Sequence, residues 1–208
     1  TVDDGVHGDE LWKSDGTKAG TVLVRDLHPG DYDSDGRSLT AVGSTLFFTA
    51  RDGVHGAELW KSDGSEAGTV LVKDTNPTDA GYYDEYGPMT AVGDTLFFAI
   101  TDGTQGRELW KSDGTEAGTV LVKDVYPGEY YSNPESLTAV GDALFFAARD
   151  GVHGRELWTS DGSEAGTVLV KNINPAGRRG YGPYLLTAVA QLGGPFDFCA
   201  FASLSELL

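Results

Sequence analysis

An acidic segment is the strongest candidate for chemistry in this chain of 208 residues. Carboxylates occupy every second position in Asp31-Tyr32-Asp33-Ser34-Asp35-Gly36. Oxygen ligands at this spacing, followed by glycine, can wrap a hard cation, as they do at the start of an EF-hand loop. The twelfth position, where a bidentate Glu would belong, is Val42. The segment therefore predicts either a calcium site at Asp31, Asp33 and Asp35 or an acidic, solvated loop.

Three histidines form a second candidate group, because His7, His55 and His153 occupy the same place in similar segments. In the remaining copy this place is Gln105. Zinc requires ligands at about 2.0–2.1 Å, so the side chains would have to converge on one point. Equivalent positions of separate repeats are expected to lie far apart. We therefore interpret these histidines as loop residues, and calcium is the single cofactor that the sequence suggests.

The elements that must position these residues belong to a tandem repeat. Trp12, Trp60, Trp110 and Trp158 mark four copies, at spacings of 48, 50 and 48 residues. A fixed period in this range indicates a repeat architecture. In the unit 39–74, short apolar and β-branched runs are separated by glycine turns. This pattern predicts an antiparallel meander of four strands, A to D in chain order.

Apolar side chains on both faces of these strands favour a β-propeller. Along strand B, Leu46 and Phe48 point to one face and Phe47 to the other. Such a sheet must be covered on both faces, and small sheets packed around a common axis provide that cover. Short strands and frequent glycines argue against a helical solenoid. A β-helix is a weaker alternative because its repeat is usually shorter.

We predict one all-β domain over 1–208, a propeller of four antiparallel, four-stranded blades. Three blades are complete, at 39–74, 89–124 and 137–172. The N-terminus supplies only strands C and D, within 10–26, so the closing blade is predicted to combine 185–204 with 1–26. Closure would remove exposed strand edges. Alternatively, a neighbouring chain completes this blade, which would give an eight-bladed dimer or an open filament.

The motif Glu-Leu-Trp-x-Ser-Asp-Gly-Thr/Ser-x-Ala-Gly-Thr recurs at 10–21, 58–69, 108–119 and 156–167. It resembles the bacterial ELWxxDGT tandem-repeat family. The resemblance implies a secreted or surface-attached bacterial protein, and it brings no catalytic residues. Because the chain begins within a repeat, we also expect it to be a piece of a longer protein.

Within the motif, the tryptophans are expected to pack between neighbouring blades, although an exposed Trp could stack on a sugar. The glutamates before them would then be buried, and each would need a hydrogen-bond donor that the sequence does not identify. The Asp-Gly turns are expected to be structural, since Asp accepts bonds from its own turn and Gly adopts positive φ at low cost.

All nine tyrosines lie in the loops that join strand D of one unit to strand A of the next. These loops are expected at the same end of the sheets as the histidine loops. Tyrosines on variable loops suit recognition of a glycan or protein ligand, although some could simply cover the core. The candidate ligand-binding residues are Tyr32, Tyr82, Tyr83, Tyr86, Tyr130, Tyr131, Tyr181 and Tyr184, with Tyr126 the ninth of the set.

A formal net charge of -17 argues against nucleic acid and against insertion into a membrane as modes of action. The chain has one cysteine, Cys199, so it can form no internal disulfide. An active site needs dissimilar residues around one reacting atom, whereas these units are near copies, so we predict no enzyme. We expect an extracellular or cell-surface binding and adhesion module. The alternative is a structural subunit whose chains associate by strand exchange into a fibre.

Overall fold

The protein folds into antiparallel β-sheets. The structure, a computed structural model, describes residues 1–77, 87–173, 182–183, 186–190 and 198–200. Within these ranges all regular elements are strands, so the predicted all-β class is confirmed. No helix in the described part of the chain has the length and apolar character needed to cross a membrane.

The strands form four sheets in chain order, followed by one further strand pair. Sheet I contains β1 (Val2–Asp3), β2 (Asp9–Lys13) and β3 (Val22–Arg25). Sheet II contains β4 (Arg37–Val42), β5 (Thr45–Ala50), β6 (Glu58–Ser62) and β7 (Val70–Lys73). Sheet III contains β8 (Met89–Val92), β9 (Thr95–Ile100), β10 (Glu108–Ser112) and β11 (Val120–Lys123). Sheet IV contains β12 (Glu135–Val140), β13 (Ala143–Arg149), β14 (Arg155–Ser160) and β15 (Val168–Lys171). The last pair is β16 (Ala188–Ala190) with β17 (Phe198–Ala200).

The three complete units are confirmed as four-stranded antiparallel meanders, in which each strand pairs with its neighbours in sequence. Each first hairpin turns through a glycine with positive φ: Gly43 at 58°, Gly93 at 56° and Gly141 at 58°. A side chain is rarely tolerated at such an angle, which explains the glycine in every copy.

The N-terminus is more complete than the sequence predicted. We expected only strands C and D before residue 27, but β1 precedes them. Val2 pairs with Glu10 as Ala50 pairs with Glu58, so β1 is the end of a strand B. The prediction was wrong because two residues are too few to give a periodic signal. Sheet I and the pair β16–β17 are separate sheets in the described residues, and the composite blade remains a prediction.

Consecutive sheets pack face to face through three apolar clusters. Each cluster combines residues of one sheet with residues of the next, and each contains one repeated tryptophan: Trp60, Trp110 or Trp158. The predicted packing of tryptophans between neighbouring units is confirmed for these three. We call the face that carries the tryptophan the leading face of its sheet, and the opposite face the trailing face.

The first strands of successive sheets also lie side by side. β4 contacts β8, β8 contacts β12, and β12 contacts β16. Thr90 of β8 donates a hydrogen bond of 2.8 Å to the carbonyl of Leu137 in β12. The first strands of these sheets therefore form one row.

The Asp-Gly turns between strands C and D are satisfied by their own atoms. In sheet II, Asp63 Oδ1 accepts bonds from Ser65 N at 2.8 Å and from Ser65 Oγ at 2.6 Å. Gly64 adopts a φ of 85°. A Cβ on Gly68 would lie 2.1 Å from Asp63 Oδ1, so a larger residue at this position would require the Asp63 side chain to move. The contacts of the turn therefore account for its constant residues, as expected for a structural role.

Candidate functional site

A buried carboxylate anchors the loops at one end of the sheets. The first residue of the Glu-Leu-Trp motif is 0–2% exposed in all four copies: Glu10, Glu58, Glu108 and Glu156. Each carboxylate accepts a hydrogen bond from a backbone N–H 17 residues further along the chain: Leu27, Thr75, Val125 and Ile173. These amides begin the loops between strand D and the next strand A. They are the donors that the sequence could not identify.

Glu108 accepts three hydrogen bonds in this way. It accepts bonds from Val125 N at 2.9 Å, Ser132 N at 2.9 Å and Ser132 Oγ at 2.6 Å. Burial raises its pKa to about 7 even though these donors favour the charged form. Burial likewise raises the pKa of Glu10, against bonds from Leu27 and His28. The carboxylates thus hold these loops in position, although the burial of a charged group is unfavourable in free energy.

Each described D–A loop lies between the B–C loops of two consecutive sheets. Ser34 N donates to Asp9 O at 3.0 Å, and Arg51 N donates to Ser34 O at 2.8 Å. The later loop repeats this arrangement, since Asn133 N donates to Arg107 O and Arg149 N donates to Ser132 O. For the described loops, the expectation that both loop types share one end of the sheets is confirmed.

This loop arrangement forms a cleft of about 410 Å³ between 28–35 and 51–55. Tyr32 stands at the cleft with 61% of its surface exposed. Its ring stacks on His28 with centroids 5.0 Å apart and planes inclined by 20°. The other polar lining residues are Asp31, Asp33, Asp35, Arg51 and His55.

A second cleft, of about 550 Å³, lies between the loop of sheet III at 101–105 and the D–A loop that follows this sheet. Glu129 and Tyr131 line it, and Tyr131 is 53% exposed. The neighbouring Tyr130 is 61% exposed and stacks on Tyr126 with centroids 4.8 Å apart. Stacked pairs of aromatic rings therefore occur in both of these loops.

The residue before the loop proline differs between repeats and lies against a constant glycine. A Cβ on Gly53 would meet His28 at 2.5 Å, one on Gly103 would meet Asn76 Oδ1 at 2.5 Å, and one on Gly151 would meet Tyr126 at 2.4 Å. The sequence analysis missed this position. The available signal was a changing residue, His28, Asn76 or Tyr126, inside a constant frame.

The predicted tyrosine sites are placed in part. Tyr32, Tyr130 and Tyr131 are exposed at the loop end of the sheets. Outside the described residues lie Tyr82, Tyr83, Tyr86, Tyr181 and Tyr184. The structure thus brings Tyr32 together with His28 and brings Tyr130 together with Tyr126, and Tyr32 and Tyr131 line two separate clefts.

The three carboxylates of the calcium prediction line the same cleft, and two of them have partners in the protein. Asp33 Oδ1 accepts a bond of 2.8 Å from Asp9 N. Asp35 forms ion pairs with Arg51 at 3.1 Å and with Arg37 at 3.4 Å, and it has a φ of 52°. No group of three or more His, Cys, Asp or Glu that could hold a metal occurs in the part of the chain that the structure describes. The calcium site and the solvated loop both stay predictions.

Each predicted loop histidine bonds to an aspartate three residues earlier. The Nδ1 to Oδ2 distance is 2.8 Å for His7 and Asp4, 2.8 Å for His55 and Asp52, and 2.6 Å for His153 and Asp150. The hydrogen bond that His55 donates to Asp52 raises the pKa of His55, and the bond that His7 donates to Asp4 raises the pKa of His7. Each pair joins two residues of the same loop. This is consistent with the interpretation of these histidines as loop residues. The signal for them was the Asp-Gly-Val-His spacing.

The Tyr32 cleft presents groups that can contact a ligand. A ring face can stack on an apolar surface, and carboxylates can accept hydrogen bonds from hydroxyl groups. Arg51 is held by Asp35, and Nδ1 of His28 lies 3.1 Å from the carbonyl of Asp33.

The chain matches no known family model and no curated protein. The resemblance to the ELWxxDGT repeats therefore depends on the motif alone.

Proposed function

We propose that the protein is a non-catalytic binding module that presents aromatic rings from its D–A loops to a glycan or protein ligand. One observation carries the proposal: Tyr32 is 61% exposed at a cleft, and its ring is held in place by His28. A ring that is already oriented loses little conformational freedom when it binds a ligand. An exposed aromatic patch on a protein surface is also typical of an interaction site.

The composition of the cleft favours a neutral glycan over an anionic ligand. Asp31, Asp33 and Asp35 can accept hydrogen bonds from sugar hydroxyls, whereas they would repel phosphate or sulfate. The net charge of -17 acts in the same direction over longer distances. A protein ligand with basic and apolar groups is the alternative.

We propose further that the sheets are blades of a β-propeller. Two observations support this arrangement. Consecutive sheets pack face to face, and their first strands form one row. Residues 185–204 and 1–26 would combine in the closing blade, either within one chain or between neighbouring chains. From the repeat motif, we propose a secreted or surface-attached bacterial protein.

A second proposed function is a structural subunit of an extracellular assembly, joined by the incomplete blade. The observation that favours it is the exposure of Val170, which is 46% accessible although its counterparts in the other sheets are buried. The two functions are compatible, since the clefts lie at the loop ends of the sheets and Val170 lies on a sheet face.

A glycan array followed by titration tests the binding proposal. We expect one group of neutral glycans to bind the wild type, and we expect Tyr32→Ala to weaken the best of them about tenfold, from the loss of one stacking contact. Glu66→Ala is the matched control, because Glu66 is exposed in a turn at the opposite end of sheet II. Equal affinities of the wild type and Tyr32→Ala would refute the role of this cleft. An array without hits would leave only a protein ligand.

A further inference from the structure

We propose that the two end faces of the row of sheets bind each other in two copies of the chain, head to tail. The trailing face of sheet IV in one copy would cover the leading face of sheet I in the next. This deepens the second proposed function and is independent of the Tyr32 cleft. The contact would repeat the interface that already joins consecutive sheets inside the chain.

The three internal interfaces contain the same apolar residues, a tryptophan on one sheet and a valine on the sheet before it. The tryptophans on the leading faces are 5–7% exposed: Trp60, Trp110 and Trp158. In the same clusters, the valines on the preceding trailing faces are also 5–7% exposed: Val24, Val72 and Val122. Burial of each such pair removes a large apolar surface from water, which stabilises the contact.

The polar half repeats as well. A cation at the end of strand D donates to a threonine carbonyl of the next sheet: Arg25 to Thr69 at 2.5 Å, Lys73 to Thr119 at 2.9 Å, and Lys123 to Thr167 at 2.9 Å. Two of these cations also lie over the tryptophan of that next sheet, Arg25 over Trp60 at 6.0 Å and Lys73 over Trp110 at 5.8 Å.

Sheet IV has the same trailing face, but it is open. Val170 is 46% exposed, whereas its counterpart Val122 is 5% exposed. Leu157 is half-buried, whereas Leu109 is fully buried. Lys171, the fourth cation of the series, is exposed.

Sheet I has the same leading face, and it too is open. Trp12 is half-buried, unlike the other three tryptophans. Val2 is 53% exposed, whereas its counterpart Ala50 is 1% exposed. Thr21 is exposed, whereas Thr69 at the same place in sheet II is 0% exposed.

The two open faces therefore carry the same pairs of residues that meet in the internal interfaces. Val170 would pack on Trp12, and Lys171 would donate to the carbonyl of Thr21. One internal contact has no counterpart: Lys13 and Lys61 donate to Gly64 O and Gly114 O, but sheet IV has Thr159 at this position. In the part of the chain that the structure describes, both end sheets are folded and both faces are exposed, so we assign the missing partner to a second copy. A head-to-tail contact of this kind closes into a ring or extends into a filament.

The first test is the mass of the protein in solution at increasing concentration. We expect the wild type to exceed the 22.0 kDa of one chain and Val170→Asp to remain monomeric. The control is Val152→Asp, because Val152 is 80% exposed in a loop of the same sheet and should leave association unchanged. Lys171→Glu, at an exposed and therefore tolerant position, should raise the dissociation constant about tenfold. A wild type that stays monomeric, with the amides of 168–171 protected from hydrogen exchange, would place the contact within one chain and overturn the proposal.

The second test distinguishes a head-to-tail contact from a symmetric one. Trp12→Glu removes the leading face and Val170→Asp removes the trailing face, so each variant alone should be a monomer. Their mixture retains one intact interface and should give a dimer of twice the 22.0 kDa chain mass, but nothing larger. Circular dichroism should confirm that both variants are folded. A mixture of folded variants that stays monomeric would contradict the head-to-tail arrangement.

Discussion

Ser132 binds the buried carboxylate of Glu108 through two atoms, its backbone N–H at 2.9 Å and its hydroxyl at 2.6 Å. The two residues are 24 positions apart, and both are 0% exposed. Glu108 lies in β10, and Ser132 lies between Tyr131 and the start of β12. The bond therefore fixes the loop that carries the exposed tyrosines to the interior of a sheet.

Removal of this carboxylate should destabilise the protein. Glu108→Ala leaves the buried amides of Val125 and Ser132 without an acceptor, and each costs about 1–3 kcal/mol. We expect the free energy of unfolding to fall by about 3 kcal/mol or more, measured by urea denaturation. Glu116→Ala, at an exposed turn position of the same sheet, should change it by less than about 0.5 kcal/mol. Equal stabilities of the two variants would show that the carboxylate does not anchor the loop.

The same residue should make stability depend on pH. The pKa of Glu108 is raised from 4.5 to about 7 by burial, so the folded state binds its proton more tightly than the unfolded state does. Its contribution to stability is fully present below pH 4.5 and is lost as the pH rises through about 7. The free energy of unfolding of the wild type should therefore fall in this window relative to Glu108→Gln, by as much as about 3 kcal/mol. Parallel pH profiles of the two proteins would refute the assignment.

The repeated turn should show a specific coupling between Asp113 and Gly118. A Cβ on Gly118 would lie 2.1 Å from Asp113 Oδ1, so Gly118→Ala should cost about 1–3 kcal/mol. Asp113→Ala removes the acceptor of Thr115 N and Thr115 Oγ1, but it also makes room. The double variant should thus be more stable than the sum of the single effects predicts, by about 1 kcal/mol in a double-mutant cycle. Simple additivity would mean that the steric explanation is wrong.

His55 should titrate above the usual range of histidine because Asp52 accepts its hydrogen bond. In an NMR titration, Asp52→Asn should lower the pKa of His55 and leave His7, which has its own partner in Asp4, unchanged. A raised histidine pKa stabilises the fold at low pH, and this contribution disappears as the pH rises through the folded-state value. If His55 keeps its pKa in Asp52→Asn, another group is responsible.

The calcium prediction for Asp31, Asp33 and Asp35 can be tested by isothermal titration. Saturable heat in the wild type that disappears in Asp33→Ala would establish the site. The bond from Asp9 N to Asp33 and the ion pair of Asp35 with Arg51 lead us to expect equal, negligible heats from the two proteins.

Much of the fold could be predicted because the same local sequence pattern occurs in every repeat. The strands followed from β-branched and aromatic runs bounded by glycines, and the packing of Trp60, Trp110 and Trp158 followed from apolar residues on both faces. The tyrosine loops were found by their variation against this constant background. The Asp-His loop pairs were missed although their Asp-Gly-Val-His spacing recurs in the sequence. The contact between His28 and Tyr32 was missed because a variable position does not reveal which ring lies against it.

The sequence by itself determined the strand order, the turn positions and the character of each sheet face, because these depend on neighbours within a few residues. Only the tertiary structure decided which amides satisfy the buried glutamates, because the partners Glu108 and Ser132 lie on separate elements. It also decided that Val170 and Trp12 are accessible although they have the same residue type as their buried counterparts. Burial depends on whether another sheet lies against a face, and that is a property of the assembled molecule.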